Sequence, residues 1–340
     1  MLLSKGEVGS SIALLKLGGI IQKFTIAGRN IVLGLPDEDA YKKYNQPYFG
    51  ATIGRTTNRL KDCVLTNVNG KNYTITTRQG PNSLHGGETG WDSRIFDGPT
   101  MVTRNGKQWM EFKYLSVHGE EGYPGTVELR VWYTVGKETN GDDPSHDKTT
   151  LEMEYEVEFV GKECAETVVS VTNHSYFNIG DSETIDGTHA ILCTDKYLPT
   201  DSTGIPLGTI EPYPILEVKQ PFILGESDPK FDTCFIMDTN PGSIPLDTRS
   251  KPLELLASFK HPDTGLNLEV FSTEPAFQFY TGDGVDVPAV EEFPAKGPRS
   301  GFCVEPGRYI NAPNEPEWRN MCLLKQGGIW GSRSVYKTWK

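Results

Sequence analysis

Alternation with period two dominates this chain. Between Leu151 and Val160, the apolar residues Leu151, Met153, Tyr155, Val157 and Phe159 alternate with Glu152, Glu154, Glu156 and Glu158. Successive side chains of an extended strand point to opposite faces, so this run predicts a strand with one packed face and one acidic, solvated face. Val127, Leu129, Val131, Tyr133 and Val135 repeat the pattern. The polar segment from Gly136 to Thr150, with Asn140-Gly141 and Asp143-Pro144, reads as the hairpin loop joining the two. Met110, Phe112 and Tyr114 predict another strand, and Leu266, Leu268 and Val270 one more. The four alternating glutamates are read as a charged outer face and not as a metal site. Helical signals are weak: Lys251 to Ser258 suggests about two turns, and Glu315 to Leu324 a little more. The 36 glycines and 23 prolines are spread along the chain, so no domain boundary stands out and residues 1–340 are expected to form one domain. Short strands separated by turn signals predict an all-β fold. At this length it is a large sandwich of about two dozen strands with few short helices.

Composition narrows the function classes. With 36% hydrophobic and 23% charged residues, the chain is an ordinary soluble globular protein able to bury a large core. Its formal net charge of −12 argues against nucleic acid or an anionic membrane as the main partner. No stretch approaches the length of a membrane-spanning helix. Met1 to Glu7 lacks a basic region followed by an apolar run, so no signal peptide is expected and the expected location is cytoplasmic. The six cysteines have wide spacings and no Cys-x-x-Cys pair, which points to neither a disulfide framework nor a zinc site. Asn72-Tyr73-Thr74 and Asn173-His174-Ser175 match the glycosylation sequon and are read as chance matches. Nothing in the pattern sets an oligomeric state.

Two of the six histidines, His85 and His174, stand where strand-like sequence gives way to small, polar or glycine residues. An imidazole titrates near neutral pH, and two of them with a carboxylate form a candidate general acid/base set. In Leu84-His85-Gly86-Gly87 the glycines permit unusual backbone angles and close approach of a ligand, although a structural histidine fits the same turn. His174 follows the strand-like run Thr167 to Val171 and is flanked by Asn173 and Asn178, with Tyr176 and Phe177 between them. A flat aromatic face rimmed by amides suits a sugar, while a satisfied histidine at a strand end is the plainer alternative. Gly54-Arg55-Thr56-Thr57-Asn58-Arg59 can bind vicinal hydroxyls or a carboxylate, or can form a surface turn with salt bridges. Asp232 lies between Phe231 and Phe235, Gln278 between Phe277 and Phe279, and Glu305 after Phe302-Cys303-Val304. Partly apolar surroundings raise the pKa of a carboxylate toward neutrality, which suits a general base.

In this order the segments resemble the aldose 1-epimerases, or galactose mutarotases, and the fungal members in particular. The resemblance runs from Tyr48-Phe49-Gly50 to about Asn314. It implies a β-supersandwich with a shallow sugar cleft, a monosaccharide substrate, no metal and no organic cofactor. The implied reaction interconverts the α- and β-anomers of aldohexoses such as galactose and glucose. By the same resemblance Glu305 is the base for the C1 hydroxyl, His174 the acid for the ring oxygen, and His85 the second histidine near that oxygen. Asn58 and Arg59 hold the sugar, Asp232 binds its distal hydroxyls, and Gln278 is a positioning amide. Many members continue after the glutamate with Thr-Gln and an aromatic, where this chain has Pro306-Gly307-Arg308-Tyr309. An asparagine is common where Asp283 stands. Both departures are expected beside the cleft. A hexose-6-phosphate 1-epimerase would need more basic residues than Arg59, with Arg55 and Arg308 as the other candidates. A glycosidase would rest on a carboxylate pair and has little use for two histidines. A non-catalytic carbohydrate-binding protein would not need His174 and Glu305 together.

Overall fold

The computed structural model describes the backbone of residues 2–3 and the whole of residues 11–78, 80–139 and 147–340. Strands dominate, numbering 27 among these residues, with one α-helix and a few 3-10 turns. Lys148–Phe159 and Val127–Glu138 are antiparallel neighbours, with Glu138 opposite Lys148, as the alternation predicts. The loop signals Asn140-Gly141 and Asp143-Pro144 lie outside the described residues, as does most of Met1 to Glu7. The Met110 and Leu268 patterns become the strands Lys107–Ser116 and Asn267–Ser272.

These strands belong to a nine-stranded antiparallel sheet whose central strand, Ile329–Trp339, lies between Lys148–Phe159 and Asn267–Ser272. A second, six-stranded sheet contains Ala276–Tyr280, Phe302–Gly307 and Asp232–Ile236. The inner faces of both sheets enter one apolar core. Phe302 of the smaller sheet stacks on Phe259 of the larger at 4.2 Å between ring centroids, and Phe177 meets Tyr336 edge-on at 4.9 Å. Face-to-face sheets with interdigitated side chains make a β-sandwich.

The glutamate face is charged as expected, but it is not simply solvated. Glu152 pairs with Lys107 and Glu154 with Arg104 at 2.6 Å, and Glu156 with Arg130 at 2.7 Å. Basic residues of neighbouring strands cover the acidic row. Lys251 to Ser258 is not helical. The segment forms the strand Glu254–Lys260, and its register shifts between Leu255 and Ala257. That bulge sets successive apolar residues side by side and imitates helical spacing. Glu315 to Leu324 is a 3-10 turn, Arg319–Met321, running into the strand Leu323–Lys325. The α-helix that does form is Glu38–Tyr44. Asp37 caps it by accepting from the Ala40 amide at 2.9 Å, acids fill its first turn and Lys42 and Lys43 its last. No helix among the described residues is long and apolar enough to cross a membrane.

Candidate active site

Period two on paired strands builds the floor of a cleft. Gln278 lies opposite Glu305 and Tyr280 opposite Cys303, while in the next pair Asp232 lies opposite Tyr280 and Cys234 opposite Gln278. Opposed residues share a face of the sheet. One face therefore carries Asp232, Gln278 and Glu305, while Phe277, Phe279, Phe302 and Val304 on the other join the core. Two short ribbons supply the walls. Arg59–Leu60 pairs with Ser83–Leu84, which brings Asn58, Arg59 and His85 together. Thr52–Ile53 pairs with Thr172–Asn173, and the His174 backbone that follows bonds to Gly50 and Ala51. Gly86 has φ +93°, and a Cβ there would lie 1.9 Å from the Gly54 carbonyl oxygen, so only glycine lets the His85 turn close. Tyr48, Asn58 and His85 all hold positive φ, at 66°, 56° and 50°. Left-handed backbone costs a non-glycine residue roughly 1–2 kcal/mol, and here the surrounding ribbons impose it on three neighbours in one wall.

The cleft has a volume of about 270 Å³, and Asn58, Arg59, His85, His174, Asp232, Gln278 and Glu305 all line it. His174 Nε2 lies 3.5 Å from Glu305 Oε1, both side chains being almost wholly buried. Burial pushes the Glu305 carboxyl well above the usual carboxylate range, the Asp232 charge adds to this, and Arg59 opposes it. Burial also lowers the His174 imidazole, to about 4. Both shifts favour the neutral members of the pair. When the pair holds one proton, glutamic acid beside neutral imidazole is the lower-energy form and carboxylate beside imidazolium the higher. His85 is held well below the usual histidine range by burial, then by His174, Arg59 and Arg78. Its Nδ1 accepts from the Asn58 amide at 3.2 Å, which leaves the ring proton on Nε2 as a hydrogen-bond donor. Gln278 donates to Asp232 at 2.5 Å, and Arg59 lies 3.7 Å from the same carboxylate.

Other residues singled out in the sequence are not in the cleft. Arg55 is buried and donates to the carbonyls of Pro124 at 2.9 Å, Gly125 at 2.8 Å and Ser116 at 3.0 Å. It ties the wall to the larger sheet. Arg55→Met is expected to lower unfolding stability by about 3–5 kcal/mol, through the buried carbonyls it strands, with KM of the folded enzyme unchanged. Chemical denaturation together with initial rates checks this. Arg308 pairs with Glu274 at 3.0 Å and lies over the Trp330 ring, and Asp283 pairs with Arg299 at 3.4 Å. Neither Arg308 nor Asp283 lines the sugar-sized cleft itself, though Asp283 precedes Gly284 of its lining and Arg308 lies against a small cavity shared with Gln278 and Glu305. Asn173 and Asn178 do not rim an aromatic platform. Asn173 donates to the Gly50 carbonyl at 2.9 Å, and Asn178 donates to the Ser300 carbonyl at 3.1 Å. Phe177 lies in the core, and buried Asn173 cannot serve as a glycosylation acceptor.

Sequence reasoning missed Tyr48, whose ring meets His85 edge-on at 4.8 Å and lies 5.6 Å from His174. It also missed Arg78, which lies over the Tyr48 ring at 4.9 Å and pairs with Asp92 at 2.8 Å. Asp286 and Tyr280 line the cleft as well. Cys303 was seen only as a neighbour of Glu305, yet its sulfur lies 3.5 Å from His174 Nδ1. Tyr48 in Tyr48-Phe49-Gly50 carried a usable signal, an aromatic before a glycine. The others sit in loops or strands with no local mark.

His85, His174 and Glu305 each present a ligand atom within 4.8 Å of the others, a set that could hold a metal ion. The Asn58 amide bonded to His85 Nδ1 opposes that use, because a neutral imidazole so bonded keeps a proton on the nitrogen that would have to bind metal.

Similarity to known proteins is consistent with this geometry. The family model described as aldose 1-epimerase matches residues 2–337. The bifunctional protein GAL10 of Pachysolen tannophilus is 38% identical over 336 residues, covering 97% of this chain and 44% of that protein. The chain thus spans less than half the length of this fungal relative. The galactose mutarotase of Sus scrofa is 35% identical over 309 residues, covering 88% of this chain and 80% of the other. A GalM/aldose epimerase homologue from C. elegans has the same fold, with a TM-score of 0.81 at 22% identity over 99% of this chain and 98% of its own. With a family model spanning nearly all its residues and relatives above one-third identity, the chain belongs to the aldose 1-epimerase family.

Proposed function

We propose that the protein is an aldose 1-epimerase, an isomerase interconverting the α- and β-anomers of unphosphorylated aldohexoses such as galactose and glucose. The observation that carries this reading is the buried Glu305–His174 pair, 3.5 Å apart on the floor of the cleft. Sugar hydroxyls entering the cleft replace water around the pair and stabilise its carboxylate–imidazolium form. Glu305 then takes the proton of the C1 hydroxyl while His174 gives its proton to the ring oxygen, and the bond from C1 to that oxygen breaks. An aldehyde and two neutral side chains result, the charge state that the buried pair prefers. Rotation about C1–C2 presents the other carbonyl face. On reclosure the C5 hydroxyl attacks C1, its proton passes to His174, and Glu305 protonates the carbonyl oxygen. Coupled transfer avoids a free alkoxide and a free oxocarbenium. His85 donates through Nε2 near the ring oxygen, Asn58 and Arg59 hold the sugar, Asp232 accepts from distal hydroxyls, and Gln278 positions Asp232.

The charge of the cleft supports neutral sugars over phosphates. Asp232 and Asp286 line it, with Arg59 as the basic counterpart, while Arg55 and Arg308 are committed elsewhere. Polarimetry on fresh α-galactose, α-glucose and α-glucose 6-phosphate tests this. Faster mutarotation of the two free sugars is expected. A marked preference for the phosphate would make the protein a hexose-6-phosphate 1-epimerase, and no catalysis of any of the three would leave a carbohydrate-binding protein.

No metal takes part in this scheme. Activity is expected to survive exhaustive chelation unchanged, and a loss reversed by a divalent ion would move the His85–His174–Glu305 set from proton transfer to metal binding. We further propose that residues 1–340 act as one cytoplasmic domain. Strand pairing between Lys148–Phe159 and Ile329–Trp339, and six cysteines free of disulfides, support that placement.

A further inference from the structure

Beside Glu305 a cavity of about 20 Å³ is lined by residues that include Thr57, Asn58, Thr172, Gln278, Gly307 and Arg308. That volume accommodates one water molecule. Arg308 Nε lacks a hydrogen bond but lies 3.0 Å from Glu274. Two polar atoms of the lining residues have neither a hydrogen-bond nor an ion-pair partner among the described residues, Thr172 Oγ1 and Gln278 Oε1. Both side chains are deeply buried, at 3% and 7% exposure. Buried polar atoms are rarely left unpaired, so these two call for a ligand. The other polar groups are already engaged. Thr57 Oγ1 bonds Ser170 Oγ at 2.7 Å, and the Arg308 guanidinium is bound to Glu274 and to the Pro245 and Leu246 carbonyls. A side chain at position 307 would enter open space, with Thr57 Oγ1 the nearest atom at 3.6 Å from a Cβ.

We propose that this cavity binds one structural water that accepts from Thr172 Oγ1 and donates both to Gln278 Oε1 and to the Glu305 carboxylate, making Thr172 a positioning residue for the base. The donor and acceptor count closes: the hydroxyl gives one proton, the water gives two, and each oxygen receives one. The role assigned to Glu305 rests on the epimerase reading above, whereas the water site does not. A donor to the ionised carboxylate lowers the energy of the carboxylate–imidazolium form that catalysis uses. Thr172 precedes His174 by two residues, so the strand Thr172–Asn173 carries the support of the base and leads directly into the acid.

Thr172→Val keeps the shape and removes the donor. If the hydroxyl is idle, the change is neutral for catalysis. If it holds the water, Glu305 ionises less readily by about one pH unit, so the plateau of kcat/KM falls roughly tenfold and its alkaline limb moves up by about the same unit. The charged and titratable groups that share the cleft with Glu305 are His174, His85, Arg59, Asp232, Asp286, Tyr48 and Tyr280. From the packed elements they are Cys303 on its own strand, Cys234, Tyr176, Tyr336 and Arg308. None of them changes in the variant.

The test combines a high-resolution crystal structure of the wild-type chain with pH profiles of Thr172→Val, Thr172→Ser and Gly307→Ala. Expected are a density peak within hydrogen-bond reach of Thr172, Gln278 and Glu305, the shift in Thr172→Val, and recovery in Thr172→Ser. Gly307→Ala, which crowds the cavity without touching Thr172, should reproduce the shift and covers the case in which Thr172→Val fails to fold. A cavity without density overturns the water site, whatever the activity of the protein. Density with an unaltered profile in Thr172→Val and Gly307→Ala overturns the coupling to Glu305. If the protein catalyses no mutarotation, the density still decides the site while the epimerase reading alone falls.

Discussion

Glu305→Gln is expected to lower kcat by about 10²–10⁴-fold, or roughly 3–5 kcal/mol of barrier, with KM nearly unchanged. The amide keeps the shape of the side chain and part of its hydrogen bonding, but it cannot accept the C1 proton. The buried position makes the loss large. Glu305 lies almost wholly out of solvent beside His174, so water cannot stand in as the base. In the proposed scheme binding rests on Asn58, Arg59 and Asp232, which line the cleft and which the substitution leaves in place. Initial-rate polarimetry separates the two constants. A variant with wild-type kcat would show that the carboxylate is structural and would pass the role of base to His85 or Asp232.

His174→Asn is expected to cause a loss of similar size, because an amide cannot supply the ring-oxygen proton. The double variant Glu305→Gln/His174→Asn should be scarcely slower than either single one, since groups sharing one proton act as a unit. The pH profile of the wild type follows from the same pair. The competent state carries one proton on the two groups. As pH falls through about 4, His174 takes up a second proton while Glu305 is still protonated, and kcat/KM drops. As pH rises through the Glu305 pKa, which burial places above the ordinary carboxylate range, the shared proton leaves and kcat/KM drops again. In His174→Asn the alkaline limb should vanish, because only the Glu305 carboxylate is left to titrate, and the residual rate should rise as pH passes upward through the Glu305 pKa. Additive losses in the double variant would mean that the two groups work in separate steps.

Much of this site could be read from the chain because strands encode their faces locally. Gln278 between Phe277 and Phe279, and Glu305 beside Val304, announce by alternation alone that a polar group points away from the core. His85 could be read for a different reason, since Gly86 and Gly87 after it mark a close backbone approach. Asn173 and Asn178 misled because an amide beside an aromatic looks the same whether it meets a sugar or a carbonyl. Only the Gly50 and Ser300 carbonyls, brought in from distant segments, decide for the scaffold. Arg55 and Arg59 are four residues apart in one motif, yet Arg55 turns into the protein toward Ser116 and Pro124 while Arg59 faces the cleft.

The helix predictions failed for a related reason. The bulge at Leu255 and Ala257 is a property of pairing with Asn267–Ser272, and a single strand read alone does not reveal it. The sequence by itself determined the strand class and the charged outer row, because side-chain alternation and charge are local properties of the chain, while the seven cleft candidates came together through the order of motifs that resembles the aldose 1-epimerases. The tertiary structure alone decided that Glu305 and His174 are buried side by side, that Tyr48 and Cys303 attend the histidines, and that Arg308 and Asp283 are engaged in ion pairs with Glu274 and Arg299. Those outcomes depend on desolvation and on contacts between residues far apart in the sequence, which exist only after the sheets have packed.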